Sequence, residues 1–280
     1  MKKIFFAALT IVALLLTGCG GEKTSAPAKD KATIGVISHL NASEETYNEV
    51  MGKLEKSYRP SKANLTANYK YFNNLRDMQL ALDSGQIDML STYQCVADYM
   101  IRNDSKLEIV KSERNLSDSF CLAVREGDSI LKNDLNKAIK SMISDGTLAE
   151  LSQKYIVDLK ADENPPAVKI EPISGAETIK VAVTGDLPPL DMILADGSPT
   201  GFSTAVLAEI SKRINKNIEL ISVESAARAS ILTSKGADVI FWVSVPKDST
   251  LVPADIDKPE GILITEPYYT DTIVHVELKK

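Results

Sequence analysis

Apolar and polar positions change texture several times along this 280-residue chain. An apolar run from Ile4 to Leu16 follows Lys2 and Lys3. It is too short to cross a hydrocarbon core of ~30 Å but suits the core of an export signal. Gly20 to Lys31, rich in Ser, Ala, Lys and Pro, predicts a flexible tether. From Thr33 the pattern turns to alternating strand and helix signals, and its two halves echo each other. Thr33-Ile34-Gly35-Val36-Ile37 and Ile179-Lys180-Val181-Ala182-Val183 both read as strands of high β-branched content, each followed later by an amphipathic helix. Leu82-Asp83-Ser84-Gly85-Gln86-Ile87-Asp88-Met89-Leu90 parallels Leu232-Thr233-Ser234-Lys235-Gly236-Ala237-Asp238-Val239-Ile240. Both spell a helix end, a glycine able to take positive φ, an acid and an apolar strand. Leu131 to Ile156 shows helical spacing broken at Ser144-Asp145-Gly146-Thr147, and Asp158 to Glu177, with Pro165-Pro166, Pro172 and Gly175, predicts a linker. Two α/β lobes are the natural architecture.

Composition narrows the chemistry. With 44% hydrophobic and 25% charged residues the chain is ordinary globular protein, and its net charge of −6 argues against a nucleic-acid partner. Two histidines, His39 and His275, and three cysteines at 19, 95 and 121 show no metal-binding spacing, so neither a metal nor a cofactor is expected. The sequence holds no nucleophile elbow and no phosphate loop, which argues against an enzyme. Leu16-Thr17-Gly18-Cys19 resembles the bacterial lipobox. That resemblance implies removal of residues 1–18, acylation of Cys19, and a water-soluble body held at the extracytoplasmic face of a bacterial membrane. Cys95 and Cys121 would remain, and exported proteins often pair such thiols. Whether these two are bonded stays open, because their separation cannot be read from sequence.

Further motifs carry a family resemblance over nearly all of Thr33 to Lys280. The second half holds Gly185-Asp186-Leu187-Pro188-Pro189-Leu190, Asp196-Gly197, Gly201-Phe202, Ser234 to Asp238 and Thr265-Glu266-Pro267-Tyr268-Tyr269. The first half holds Leu122 to Asp128, Asn136-Lys137-Ala138, Asp145-Gly146-Thr147 and Lys154-Tyr155. Together they resemble the extracellular solute-binding proteins of ABC importers, of the amino-acid-binding type. The resemblance implies a two-lobed type II periplasmic-binding-protein fold with a ligand cleft between the lobes. In that family the second succession opens the chain and the first closes it, so the order here is that of a circular permutation. The expected organisation is lobe 2 at 32–117, a hinge strand and helices packing on lobe 1 at 118–157, a linker at 158–177, and lobe 1 with a second hinge strand at 178–280. Two halves completing each other between chains in a swapped dimer would look the same in sequence as a permuted monomer.

Ligands of such folds bind beyond the carboxyl ends of strands, near helix N-termini. This singles out Ser38, His39, Asn41 and Ser43 after the first strand, and Ser91, Thr92 and Tyr93 after the strand at Asp88. In the second half it singles out Asp186, Leu187, Trp242 and Ser244. Asn41 and Ser43 could equally cap the following helix. Arg228 resembles an arginine found before a helix in some family members, and its planar fork suits an anion. The family's carboxylate-gripping arginine is replaced by Asp248, and its ammonium-binding acid falls near Tyr93. Ordinary α-amino acids are therefore not the expected ligands. The expected role is capture of a small organic solute and its delivery to an ABC permease. The alternative is a ligand-sensing or adaptor lipoprotein of the same fold, distinguished by whether its gene neighbours encode a permease and ATPase.

Overall fold

The computed structural model describes residues 31–58, 66–110, 116–247, 252 and 256–280. The signal, the tether, Cys19 and Asp248 lie outside the described residues. The first half runs β1 (Lys31–Ile37), α1 (Glu44–Tyr58), β2 (Thr66–Phe72), α2 (Leu75–Asp83), β3 (Met89–Tyr93), α3 (Gln94–Asn103) and β4 (Leu107–Val110). It continues through β5 (Ser117–Arg125), α4 (Ser129–Ser144) and α5 (Thr147–Ser152), which ends in a π-helical turn over Gln153–Val157. The second half holds β6 (Thr178–Val183), β7 (Asp186–Leu187), β8 (Asp191–Ile193), β9 (Pro199–Thr200), α6 (Phe202–Ile214) and β10 (Asn217–Ser222). After a 3-10 turn at Ser225–Ala227 come α7 (Arg228–Thr233), β11 (Val239–Lys247), β12 (Ile262–Ile264) and β13 (Tyr269–Leu278).

Strand pairing divides the molecule into two lobes of matching plan. In one, β2, β1 and β3 are parallel neighbours, β13 joins antiparallel to β3, and β4 lies on the far side of β13. In the other, β10, β6 and β11 are parallel neighbours, β5 joins antiparallel to β11, and β12 lies beside β5. Each lobe therefore takes one antiparallel strand from the other half of the sequence. The lobes are joined along β13, whose Tyr269–Thr272 pair with β5 before Ile273–Val276 pair with β3.

The repeated motif does the same job in both lobes. Asp88 accepts from the Thr33 backbone N–H at 2.8 Å while its own N–H bonds the Thr33 carbonyl at 2.8 Å. Asp238 does this with Lys180, at 2.9 and 2.8 Å. Each acid thus pins a helix end to the first strand of its lobe, which fixes the spacing of the repeat. The left-handed position is Gly85 in one copy (φ 72°) but Lys235 in the other (φ 64°), not the expected Gly236. Gly35 is required for another reason: a Cβ there would lie 2.7 Å from Ile87 and 2.8 Å from Met78, so α2 could not close on β1. On the opposite face of β1, Ile34 and Val36 pack with Met51 and Leu54 of α1.

α4 and α5 lie against α6, where Arg213 reaches the Asp145 carboxylate at 2.8 Å, Ser141 Oγ at 2.6 Å and Thr147 Oγ1 at 2.9 Å. The segment 158–177 is not a free tether. Leu159, Pro165 and Val168 are buried, Thr200 Oγ1 donates to the Pro165 carbonyl at 3.0 Å, and the Ile173 N–H is held by Asn217 Oδ1 at 2.7 Å. Cys95 and Cys121 are free thiols, so the bridge left open by the sequence is not formed. Cys95 opens α3, where its N–H bonds Asp271 at 2.9 Å, whereas Cys121 sits on β5 beside Val245, Ile264 and Thr265.

Candidate functional site

The carboxyl ends of β1 and β3 face those of β6 and β11 across the junction of the lobes. A partly open space of about 60 Å³ lies there, walled by both lobes. Ser38, His39, Ser91, Thr92 and Tyr93 line it from one side, and Leu187, Arg228, Trp242 and Ser244 from the other. It adjoins a chamber of about 260 Å³ over the α1 face of the sheet, which shares His39, Tyr47, Ser91, Asp118, Ser244 and Asp257 with it. A wider groove of about 640 Å³ opens between the start of α2 and the end of β10, with Asp186 on its wall.

Buried polar contacts join the lobes here, beside a longer and exposed one between Asn73 and Glu224. The loop after β1 presents free backbone N–H groups just before α1, and the Asp257 carboxylate accepts from Asn41 at 2.7 Å and from Ala42 at 3.2 Å. His39 Nδ1 lies 3.4 Å from the same carboxylate. Burial works to raise the Asp257 pKa, but His39 and the loop N–H groups outweigh it and hold the carboxyl below its ordinary value. The second contact resembles the first: Asp186 accepts from the Leu75 N–H at the start of α2, at 3.1 Å. Burial pushes the Asp186 carboxyl up. Leu75 is the first residue of α2, where N–H groups lack partners within the helix and favour a carboxylate, whereas Asn41 and Ala42 belong to the loop just before the cap of α1.

Arg228 makes the third contact. Its Nη2 donates across the junction to the Ser38 carbonyl at 3.1 Å, Nη1 to the Trp242 carbonyl at 2.7 Å, and Nε to the Ser225 carbonyl at 3.0 Å. The guanidinium carbon lies 4.2 Å from the centre of the Trp242 ring. Burial lowers its pKa to about 10 against the pull of Asp257, Tyr93, Asp186 and Asp191, so the group keeps its charge at neutral pH. Three of the five N–H donors are thus taken by backbone carbonyls. The geometry explains it: Arg228 is 2% exposed, and a buried donor set draws acceptors from the chain around it.

Of the other residues singled out by sequence, Ser43 caps α1 through its Oγ, which accepts from the Thr46 N–H at 3.1 Å. Asn41 contributes its backbone, and neither Asn41 nor Ser43 lines the two cavities. Tyr93 donates to Asp118 Oδ2 at 3.1 Å and packs its ring 4.5 Å from Phe120. Trp242 Nε1 is buried without a hydrogen-bond partner. Three contributors were not anticipated: Tyr47, Asp118 and Asp257. Asp118 is buried between Ser117 and Ser119, ahead of the apolar run Phe120 to Val124, and nothing in that polar start of β5 marks it out in the sequence.

Two α/β lobes joined by an exchanged strand, with a lined space between them, define a binding protein of the two-lobed type II periplasmic fold. The family model for bacterial extracellular solute-binding proteins, family 3, matches residues 60–158 and 179–248, and the chain belongs to that family. The ABC transporter glutamine-binding protein GlnH of Bacillus subtilis (strain 168) is 30% identical over 91 residues, 32% of this chain and 33% of its own length. The match thus spans about a third of that curated relative. Among solved structures, the ligand-binding component of an ABC-type import system from Staphylococcus aureus with zinc bound is 14% identical, with 87% of this chain and 65% of that one covered at a TM-score of 0.43. The methionine-binding protein MetQ is 13% identical, with 89% and 84% covered and a TM-score of 0.43.

Proposed function

We propose that this chain is a lipid-anchored, extracytoplasmic solute-binding protein, without catalytic activity, that closes two lobes on a small organic solute and delivers it to an ABC importer. The observation that carries the reading is the space between the lobes, lined from both by polar and aromatic side chains, Ser38, His39 and Tyr93 on one side and Arg228, Trp242 and Ser244 on the other. Anchoring would come through acylated Cys19. Among the described residues no helix is long and apolar enough to cross a membrane. The test is a thermal-shift screen of metabolites against the full chain. A solute that binds only the folded state adds about 2.7 kcal/mol at a hundredfold excess over Kd, enough for a clear rise in Tm. A metabolite collection that leaves Tm unmoved would remove the reading.

The same proposal includes a circularly permuted monomer. Its support is the strand order: β13 ends, and β1 begins, at the same edge of one lobe's sheet with only β3 between them. Two strand spacings are roughly 10 Å, a gap that a few residues span. A rearranged chain that starts at Glu177, joins Lys280 to Lys31 through a short Gly-Ser link and ends at Asp158 is expected to fold as a monomer with Tm within a few degrees of the native order. An insoluble chain, or one that is folded only as a dimer, would contradict this.

A further inference from the structure

We infer that the chamber beside the lobe junction seats an organic cation, a protonated amine or quaternary ammonium carried on an apolar or aromatic body. The inference rests on the solute-binding reading and names the class of solute.

The electropositive points of the junction are largely filled from within. Asp257 occupies the N–H groups of Asn41 and Ala42 in the loop before α1, Asp186 occupies that of Leu75 at the start of α2, and three donors of the Arg228 fork are held by carbonyls. Arg228 gives three of its five N–H groups to these carbonyls, and an anionic solute reaching the other two would meet the Asp118 and Asp257 carboxylates that line the same space. Negative charge, by contrast, is left over. Asp118 borders both cavities and is 9% exposed. Among the described residues its carboxylate takes one side-chain hydrogen bond, from Tyr93, and has no ion pair. Lys247 shares the chamber wall but is exposed and forms no ion pair with it. Burial pushes the carboxyl pKa of Asp118 up, and the Tyr93 hydrogen bond and nearby His39 offset that only in part, so an added cation would be favoured beside it.

The walls suit the rest of such a molecule. His39, Tyr47 and Tyr69 line the chamber as one aromatic cluster, with ring centres 4.7 Å apart for His39 and Tyr47 and 5.2 Å apart for Tyr47 and Tyr69, and aromatic walls attract ammonium groups. Ile34, Met51, Met89 and Ile256 supply apolar surface around a volume of about 260 Å³. Trp242 lines the adjoining cavity and adds an aromatic wall there.

The test compares three probes that share one phenolic body: tyramine as the cation, tyrosol as its neutral counterpart and 4-hydroxyphenylacetate as the anion. Calorimetric titration of the full chain should rank tyramine at least tenfold tighter than tyrosol, with the anion weakest. Asp118→Asn should abolish the preference for tyramine over tyrosol while leaving tyrosol affinity within about threefold. Tyr47→Leu, which leaves the carboxylate in place, should weaken tyramine severalfold more than tyrosol. The inference is overturned if the anion binds as well as the cation, if Asp118→Asn and Tyr47→Leu both keep the full tyramine preference, or if none of the three binds. In each of those cases an anionic or neutral hit in the metabolite screen would leave the solute-binding reading standing, whereas an empty screen would remove both.

Discussion

Replacing Asp257 by Ala is expected to open the lobes of the unliganded protein. The carboxylate takes two backbone N–H groups in the loop before α1 and lies beside His39, across a sequence separation of 216 residues from Asn41. Hydrogen bonds to a charged group contribute roughly 1.5–3 kcal/mol each, and few other polar contacts cross the junction. A net loss of about 2–3 kcal/mol shifts the balance of open and closed forms by roughly 30- to 150-fold. Trp242 is the single tryptophan of the chain and is 6% exposed. Opening should therefore move its emission to the red and make it accessible to acrylamide, with a parallel rise in the scattering radius of gyration. Glu224→Gln is the control, since its contact with Asn73 is long at 3.4 Å and exposed. The Asp257 carboxyl is held below its ordinary value, so its contribution is fully present above that value and is lost only as pH falls through the lowered pKa. An Asp257→Ala protein whose Trp242 emission and radius match the native ones would show that the clamp does not set closure.

The regular parts of the molecule were legible because they rest on local patterns. Alternation of β-branched residues marked β1 and β6 within two residues of their ends. The shared helix-turn-acid-strand text revealed that one unit occurs twice, and the type II fold and the family followed from the assembled motifs. What escaped was decided by contacts between distant segments. Asp257 lies near Pro253 and Pro259 in a stretch without periodicity, and nothing local says that its carboxylate meets the loop after β1 in the other half. Asp118 was passed over because a strand acid usually faces water, whereas the pairing of β5 with β11 and β13 turns this one into the chamber. Lys235 takes the left-handed position one residue before the glycine chosen from sequence, since the neighbouring hydrogen bonds fix the turn whatever side chain stands there.

Arg228 lies at the junction as the sequence suggested, with part of its fork already engaged. A planar fork fits a carboxylate and a set of carbonyls equally well, so sequence alone could place the guanidinium in the cleft without saying what it holds. The structure gives it Ser225, Trp242 and Ser38 carbonyls, one on each nitrogen, and the face of Trp242. Arg228→Ala should accordingly act first on stability. It leaves three acceptors short of a donor, removes the stacked partner of Trp242 and opens a hole in a closely packed junction. Truncating one member of a buried polar network typically costs about 3–5 kcal/mol. Urea denaturation should show that loss as a lowered midpoint with an unchanged slope. Arg228→Lys keeps the charge but cannot reach three carbonyls at once, so an intermediate loss is expected. Tyramine affinity measured well below the unfolding transition should change far less than stability, because the guanidinium touches backbone rather than solute. A variant as stable as the native chain that has lost its solute would return Arg228 to the binding site and make the carbonyl contacts incidental.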